Sequence, residues 1–475
     1  MVFSSSIFLL YFLPLFFFFY YIADVKYKNL IALIASLIFY GFGAPQFLFI
    51  ILFSVIIDFF LVKRIDTTSE TKERKWLLFA SVLLNIGLLA YFKYANFFVE
   101  NLNFAFMKFG IENISWTKVA LPIGISFYTF QKLSYSIDIY RKKSKRLESI
   151  GDYLLFILLF PQLIAGPIVR YNEIADQITN RQANENTENR LLGFYRFIIG
   201  LSKKVLIANT LGATVDVIFA TPVENIGTLA SWLGIIAYSF QIYFDFSGYS
   251  DMAIGIGRMI GFKFPENFNN PYTSQSITEF WRRWHITLGN WMRDYLYIPI
   301  GGNRVKTKFR LYFNLWFVFL ISGLWHGSSW NFVIWGAYHG LFLVLDRIFL
   351  IKITSKIGKI PRILLTYIIT LIGWIIFRAE NMSFAFKFVR NLFRIDGNLF
   401  PDYINNQFRI ALLFAVVFSF ITIFKLGKKL EEKVFYSQYS CKQHIFTGIL
   451  SALFLIVCVS FITKGGFNPF IYFRF

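Results

Sequence analysis

Apolar and polar positions do not alternate evenly along this chain. Long apolar runs are separated by short basic segments. Runs fall at 7–22, 29–45, 47–62, 76–92, 119–137, 152–169, 192–212, 228–246, 310–324, 330–350, 363–378, 408–424 and 445–463. A helix crosses a bilayer with about 20 mostly apolar residues. Several of the runs are shorter, so the pattern predicts about 10–12 spans, with the remainder re-entrant or interfacial. The fold class predicted is all-α: a polytopic integral membrane protein, with 1–475 forming one membrane body.

Composition agrees. Of the 475 residues, 56% are hydrophobic, 21% aromatic and 16% charged. Soluble chains carry roughly 25% charged residues, so a water-exposed surface cannot be built from this composition. The 61 Phe, 26 Tyr and 11 Trp suit lipid contact and interfacial belts. A net charge of +21 would prompt a nucleic-acid reading in a soluble chain. Here the bases fall between apolar runs, at 63–75, 141–146, 304–310, 352–362 and 425–433, as cytoplasmic loops require. No recognition motif accompanies them, so no nucleic-acid partner is expected; the bilayer is. Cys441 and Cys458 show neither CxxC nor zinc spacing, and Cys458 lies inside the last run, so neither a disulfide nor a metal site is expected.

The first 23 residues contain no Lys or Arg, so 7–22 reads as a retained span with its N-terminus outside. Three spans then bring 63–75 inside, and 76–92 exits. The basic segment 141–146 must return to the cytosol, which assigns the next crossing to 119–137 and leaves 95–109 as an amphipathic helix in the interface. This predicts a multi-pass membrane protein.

Residues 241–300 depart from lipid-facing character. Asp245, Asp251, Arg258, Glu279, Arg282, Arg283, His285, Arg293 and Asp294 are mixed with aromatics and turn residues. Such groups are tolerated at membrane depth where they face protein or a wet cavity. Ser276-Ile-Thr-Glu279 has capping-box spacing and predicts a helix from Ile277, with Trp281, Trp284, Leu288 and Trp291 near one face. The region reads as short helices at the cytoplasmic mouth of a cavity.

Four histidines are present. His444 reads as a surface residue at the edge of the last run. His326, between Gly323 and Gly327, fits either a general base or an interhelical contact built on small residues. His339 has no charged neighbour within a turn and reads as structural. His285 has Arg282 and Arg283 beside it, which fits an anion site or an interfacial Trp/Arg anchor. Asp245 and Asp251 are the nearest carboxylate pair for glycosidase-type work. No P-loop, GxSxG or HExxH pattern occurs.

Taken together, Pro122-Ile-Gly-Ile-Ser-Phe-Tyr128, Phe160-Pro-Gln-Leu-Ile-Ala-Gly-Pro167, Tyr243-Phe-Asp-Phe-Ser-Gly-Tyr-Ser-Asp251, Asn269-Asn-Pro-Tyr272, Ser276-Ile-Thr-Glu-Phe-Trp-Arg-Arg-Trp-His285, Arg293-Asp-Tyr-Leu-Tyr-Ile-Pro299, Gly301-Gly-Asn-Arg304 and Gly323-Leu-Trp-His-Gly327 closely resemble the membrane-bound O-acyltransferase (MBOAT) family. The resemblance covers nearly the whole chain and points to the bacterial alginate O-acetyltransferase branch. Peptidoglycan acetyltransferases and teichoic-acid D-alanylation proteins are relatives of that branch.

The resemblance implies a helical body with a central funnel, core motifs over 241–340 and an aromatic tail at 464–475. It places the family's catalytic histidine at His326 and its second histidine at His285. It implies acetyl-CoA as cytosolic donor, with Arg282, Arg283 and Arg304 as partners for its phosphates. The acceptor it implies is an exported or cell-surface glycan, served by an extracytoplasmic SGNH-type (AlgJ- or PatB-like) acyltransferase. A neutral imidazole suits removal of the hydroxyl proton. Oxyanion donors are expected from backbone N–H groups near Gly323–Ser328 or from the Ser328 and Ser329 hydroxyls. In the tail, Tyr472 fits an acyl relay or an interfacial anchor. Three rivals remain: a glycan transporter, a non-catalytic scaffold, and an acyltransferase fed by a carrier protein.

Overall fold

The computed structural model describes residues 1–394 and 404–465, and among these the protein is helical with no strand beyond one isolated bridge. Among the described residues, seven helices are long and apolar enough to cross a membrane: Val25–Gly43, Pro45–Thr67, Thr71–Lys108, Trp330–Thr354, Lys359–Arg378, Asn406–Ile423 and Cys441–Lys464. Other long helices, 187–220, Thr228–Met259 and Lys308–His326, run between the same two ends but carry more polar side chains. A helix enclosed by protein need not be apolar all round. Thr228–Met259 is the extreme case: its 32 residues are almost all buried.

The basic segments meet at one end. Arg74 donates to the Tyr140 carbonyl at 2.8 Å, Arg146 pairs with Asp66 at 3.2 Å, and Arg141 donates to the Asp294 carbonyl at 3.2 Å. The positive-inside bias assigns this end to the cytosol. At the opposite end Arg378 pairs with Asp216 at 2.8 Å and Lys387 with Glu224 at 2.7 Å.

Close helix contact is built on glycine. In the pair formed by 187–202 and Thr228–Met259, a Cβ on Gly200 would meet the Gly248 carbonyl at 2.5 Å, and one on Gly193 would meet the Gly255 carbonyl at 2.7 Å. These two glycine pairs, seven residues apart, let the backbones touch and draw charged residues into the seam. Asp251 is held there by Arg196 and Lys203, and Asp245 by Lys204. Asp245 and Asp251 are thus committed to separate ion pairs rather than converging on one site.

Four expectations change. The segment 95–109 is no separate interfacial helix: Thr71–Lys108 is one 38-residue helix, passing through a π-helical turn at Ala90–Tyr94. At 1.5 Å per residue it is about 57 Å long, well beyond the roughly 30 Å hydrocarbon layer. The return crossing is Ile125–Tyr140, starting later than 119 because Pro122 and Gly124 hold the chain in a turn. Gly124 has φ +76°, and a Cβ there would meet the Leu163 carbonyl at 2.6 Å. The run 152–169 is broken: Ile150–Leu158 stops, Phe160–Leu163 makes one further turn, and Gly166 at φ +102° ends the motif. Finally, Trp281 and Leu288 do not share a helix. Ser276 caps Ile277–Arg283 by accepting from the Glu279 amide at 3.1 Å, as expected, but the helix ends at Trp284 and a second, Ile286–Met292, starts after His285.

Candidate functional site

The break at His285 is made by the loop before it. Phe268 and Trp284 form the isolated bridge; the Asn269 amide donates to the Arg283 carbonyl and the Ile286 amide to the Asn267 carbonyl, both at 2.9 Å. His285 is held between them in the left-handed region, at φ +47° and ψ +54°. A non-glycine residue there is strained and persists only where surrounding contacts fix it.

Side-chain contacts fix it further. Asn267 Nδ2 donates to the Gly166 carbonyl at 3.2 Å and lies 3.0 Å from Ser250 Oγ. A carbonyl can only accept, so Asn267 Oδ1 faces the other way, where it accepts from Thr287 Oγ1 at 2.9 Å and meets His285 Nδ1 at 3.0 Å. Two acceptors would repel at that distance, so Nδ1 carries the proton and donates. In the neutral ring the lone pair is therefore on Nε2. That atom is buried and has no hydrogen-bond partner among the described residues. An unsatisfied buried acceptor costs about 1–3 kcal/mol, so a polar guest is expected there.

His326 is the last residue of Lys308–His326. Gly327 leaves the helix in extended backbone, and Trp330 starts the next one. A Cβ on Gly323 would collide with backbone at Gly336. The two helices therefore cross in direct contact one turn before the break, which is the small-residue packing read from the sequence. The His326 ring lies in an aromatic setting, with centroids of Trp325, Trp335 and Phe377 at 4.9, 5.1 and 5.5 Å, all near-perpendicular. On its other side is a cavity of about 290 Å³ lined by Lys93, residues 121–127, Ile164 and Trp325. The lining comes from the outer ends of its helices, so the cavity belongs to the extracytoplasmic half.

The Trp325 indole stands between the two histidines, its centroid 6.0 Å from His285 and 4.9 Å from His326. It also stacks on Phe130 at 5.4 Å, and Phe130 on Trp291 at 3.7 Å. Buried indole N–H groups of Trp281, Trp325 and Trp335 have no hydrogen-bond partner among the described residues. Together with His285 Nε2, they leave polar groups along an otherwise apolar interior.

The remaining expected residues fall elsewhere. Arg282 and Arg304 are exposed toward the cytosolic end, whereas Arg283 is engaged by Glu279 at 2.5 Å and Thr273 at 3.0 Å. His339 is fully buried against Trp281, Trp335 and Tyr338 and packs on Gly373. His444 pairs with Glu188 at 2.8 Å, tying the last helix to 187–202. Cys441 and Cys458 are both free thiols. Tyr472 lies outside the described residues. Two residues of the site were missed by sequence reasoning. Lys93 could have been found as a lone cation between the apolar run 76–92 and the apolar-rich segment 95–109. Asn267 carried no local signal, since its role depends on a partner 18 residues away.

A helical membrane body with a buried histidine at a helix break defines a class. Residues 125–377 match the model of the membrane-bound O-acyltransferase family, and the chain belongs to that family. It is a multi-pass membrane O-acyltransferase. Among named relatives, it is 40% identical to the probable alginate O-acetylase AlgI of Pseudomonas putida over the full length of both chains. It is 44% identical to the protein of the same name from Pseudomonas aeruginosa, over 83% of this chain and 75% of that one. It is 37% identical to the peptidoglycan O-acetyltransferase of Helicobacter pylori, over 84% of this chain and 80% of that one.

Proposed function

We propose that this protein takes an acetyl group from acetyl-CoA at the cytosolic face and delivers it to the outer face for O-acetylation of an exported or cell-surface polysaccharide. His326 acts as the general base: it accepts the proton of the acceptor hydroxyl as that oxygen attacks the thioester carbonyl. His285 serves the donor side, and exposed Arg282 and Arg304 engage donor phosphates. Tyr472, in the tail, relays the group to an SGNH-type partner outside the cytoplasmic membrane. A Tyr472→Phe chain is then expected to turn over donor but leave the glycan unacetylated in cells.

The observation that carries this reading is the position of His326, at a broken helix end beside a cavity of the extracytoplasmic half, in a chain 40% identical over its whole length to an alginate O-acetylase. The test is acetyl-CoA turnover by the purified protein with oligosaccharide acceptors. His326→Ala should lower turnover by about 10³-fold, within the range general bases contribute. A variant that keeps the wild-type rate refutes the assignment.

A further inference from the structure

Lys93 is buried, yet it lines the cavity that His326 borders. Its ammonium donates to the carbonyl of Trp325, the residue preceding His326, and to Ser126 Oγ at 3.3 Å. An ammonium has three donors, so one is left for the cavity. No carboxylate pairs with Lys93 among the described residues; buried Lys28 and Lys204 each close on one, Glu185 and Asp245, while buried Lys132, which does not line the cavity beside His326, donates to Ser54 Oγ at 3.1 Å. A cation held at membrane depth without a counter-ion is expensive and calls for a reason.

Capping alone does not supply that reason. The last carbonyls of Lys308–His326 lack helical partners, and the π-helical turn Ala90–Tyr94 brings two successive side chains to them. Tyr94 Oη caps the Leu324 carbonyl at 2.7 Å with a neutral hydroxyl. Lys93 does the same one residue on, and its charge exceeds what a cap needs. A cavity whose chemistry generates negative charge would use that excess.

We propose that Lys93 is a catalytic residue, and the proposal rests on the acyl-transfer reading with His326 as base. The acceptor oxygen bonds to the thioester carbon and its proton passes to the His326 imidazole. The carbonyl π pair moves onto oxygen, and the resulting oxyanion is stabilised by the Lys93 ammonium. As the carbonyl re-forms, the C–S bond breaks and the thiolate takes the proton from His326. Lys93 remains protonated throughout, and the products are an ester and a thiol.

The test compares purified wild type, Lys93→Met, Lys93→Arg and Lys93→Gln, with melting in detergent as the folding control. Wild-type turnover that is lost in His326→Ala establishes the underlying reading; without it, that reading fails rather than this one. Given it, Lys93→Met should lower kcat by about 100-fold, the effect of removing one oxyanion donor, with KM for the donor nearly unchanged. Lys93→Arg should recover part of the rate. Lys93→Gln, which keeps a capping donor without charge, should not, and it serves where Lys93→Met fails to fold. A chloroacetyl thioester, whose oxyanion is intrinsically stabilised, should show a smaller defect than the acetyl one. Wild-type kcat in Lys93→Met, or equal recovery by Gln and Arg with equal defects on both thioesters, overturns the proposal.

Discussion

His285 and His326 flank the same indole and are built in opposite ways. His285 is clamped: its backbone is left-handed, its Nδ1 proton is held by Asn267, and Asn267 is itself anchored by Gly166. Its ring can do one thing, which is to present Nε2. His326 ends a helix, stands among three aromatic edges and borders open volume on the outer half. The difference fits the proposed division of labour. A ring with one fixed tautomer suits orienting a donor, and a ring beside a cavity suits meeting an incoming acceptor.

The largest effect should come from breaking the His326 side, where His326→Ala removes the proposed base. A smaller one should come from unlocking His285. Asn267→Leu keeps the volume but frees the ring to take either tautomer, and the lost hydrogen bonds should reduce turnover by about tenfold. Nitrogen-15 spectra of the histidines should then show His285 losing its Nδ1-protonated form. An unchanged tautomer would show that Asn267 does not set it. The smallest effect belongs at the cytosolic mouth. Arg282→Ala and Arg304→Ala should each raise KM for acetyl-CoA a few-fold and leave kcat unchanged, since exposed phosphate contacts add uniform binding. A loss in kcat without a change in KM would move these arginines out of the donor-binding role.

Legibility from the sequence followed lipid exposure. Cys441–Lys464 and Pro45–Thr67 leave much of their apolar surface uncovered by protein and read directly as spans. Thr228–Met259 and 277–292 do not, and their apolar periodicity is interrupted by Asp245, Asp251 and Arg283, which pair inside the protein with Lys204, Arg196 and Glu279, and by the exposed Arg282. The same interruption marked the core as the place to look for chemistry. What remained hidden was long-range: Asn267 reaching His285, Lys93 reaching Trp325 across 232 positions, and the helix break at His285 imposed by the Phe268 bridge. No spacing rule within one helix encodes such contacts. The continuity of Thr71–Lys108 was hidden too, because a helix longer than the bilayer is thick must carry polar residues such as Asn96 and Glu100 in its outer part.

The central claim is that His326 joins a cytosolic donor to an acceptor on the other face. Sided proteoliposomes test it most directly, with labelled acetyl-CoA supplied only to the face bearing the basic loops and oligosaccharide only to the opposite one. The account predicts label on the oligosaccharide with wild type and none with His326→Ala. Label that still crosses in His326→Ala, or that appears only when donor and acceptor share a face, would contradict it.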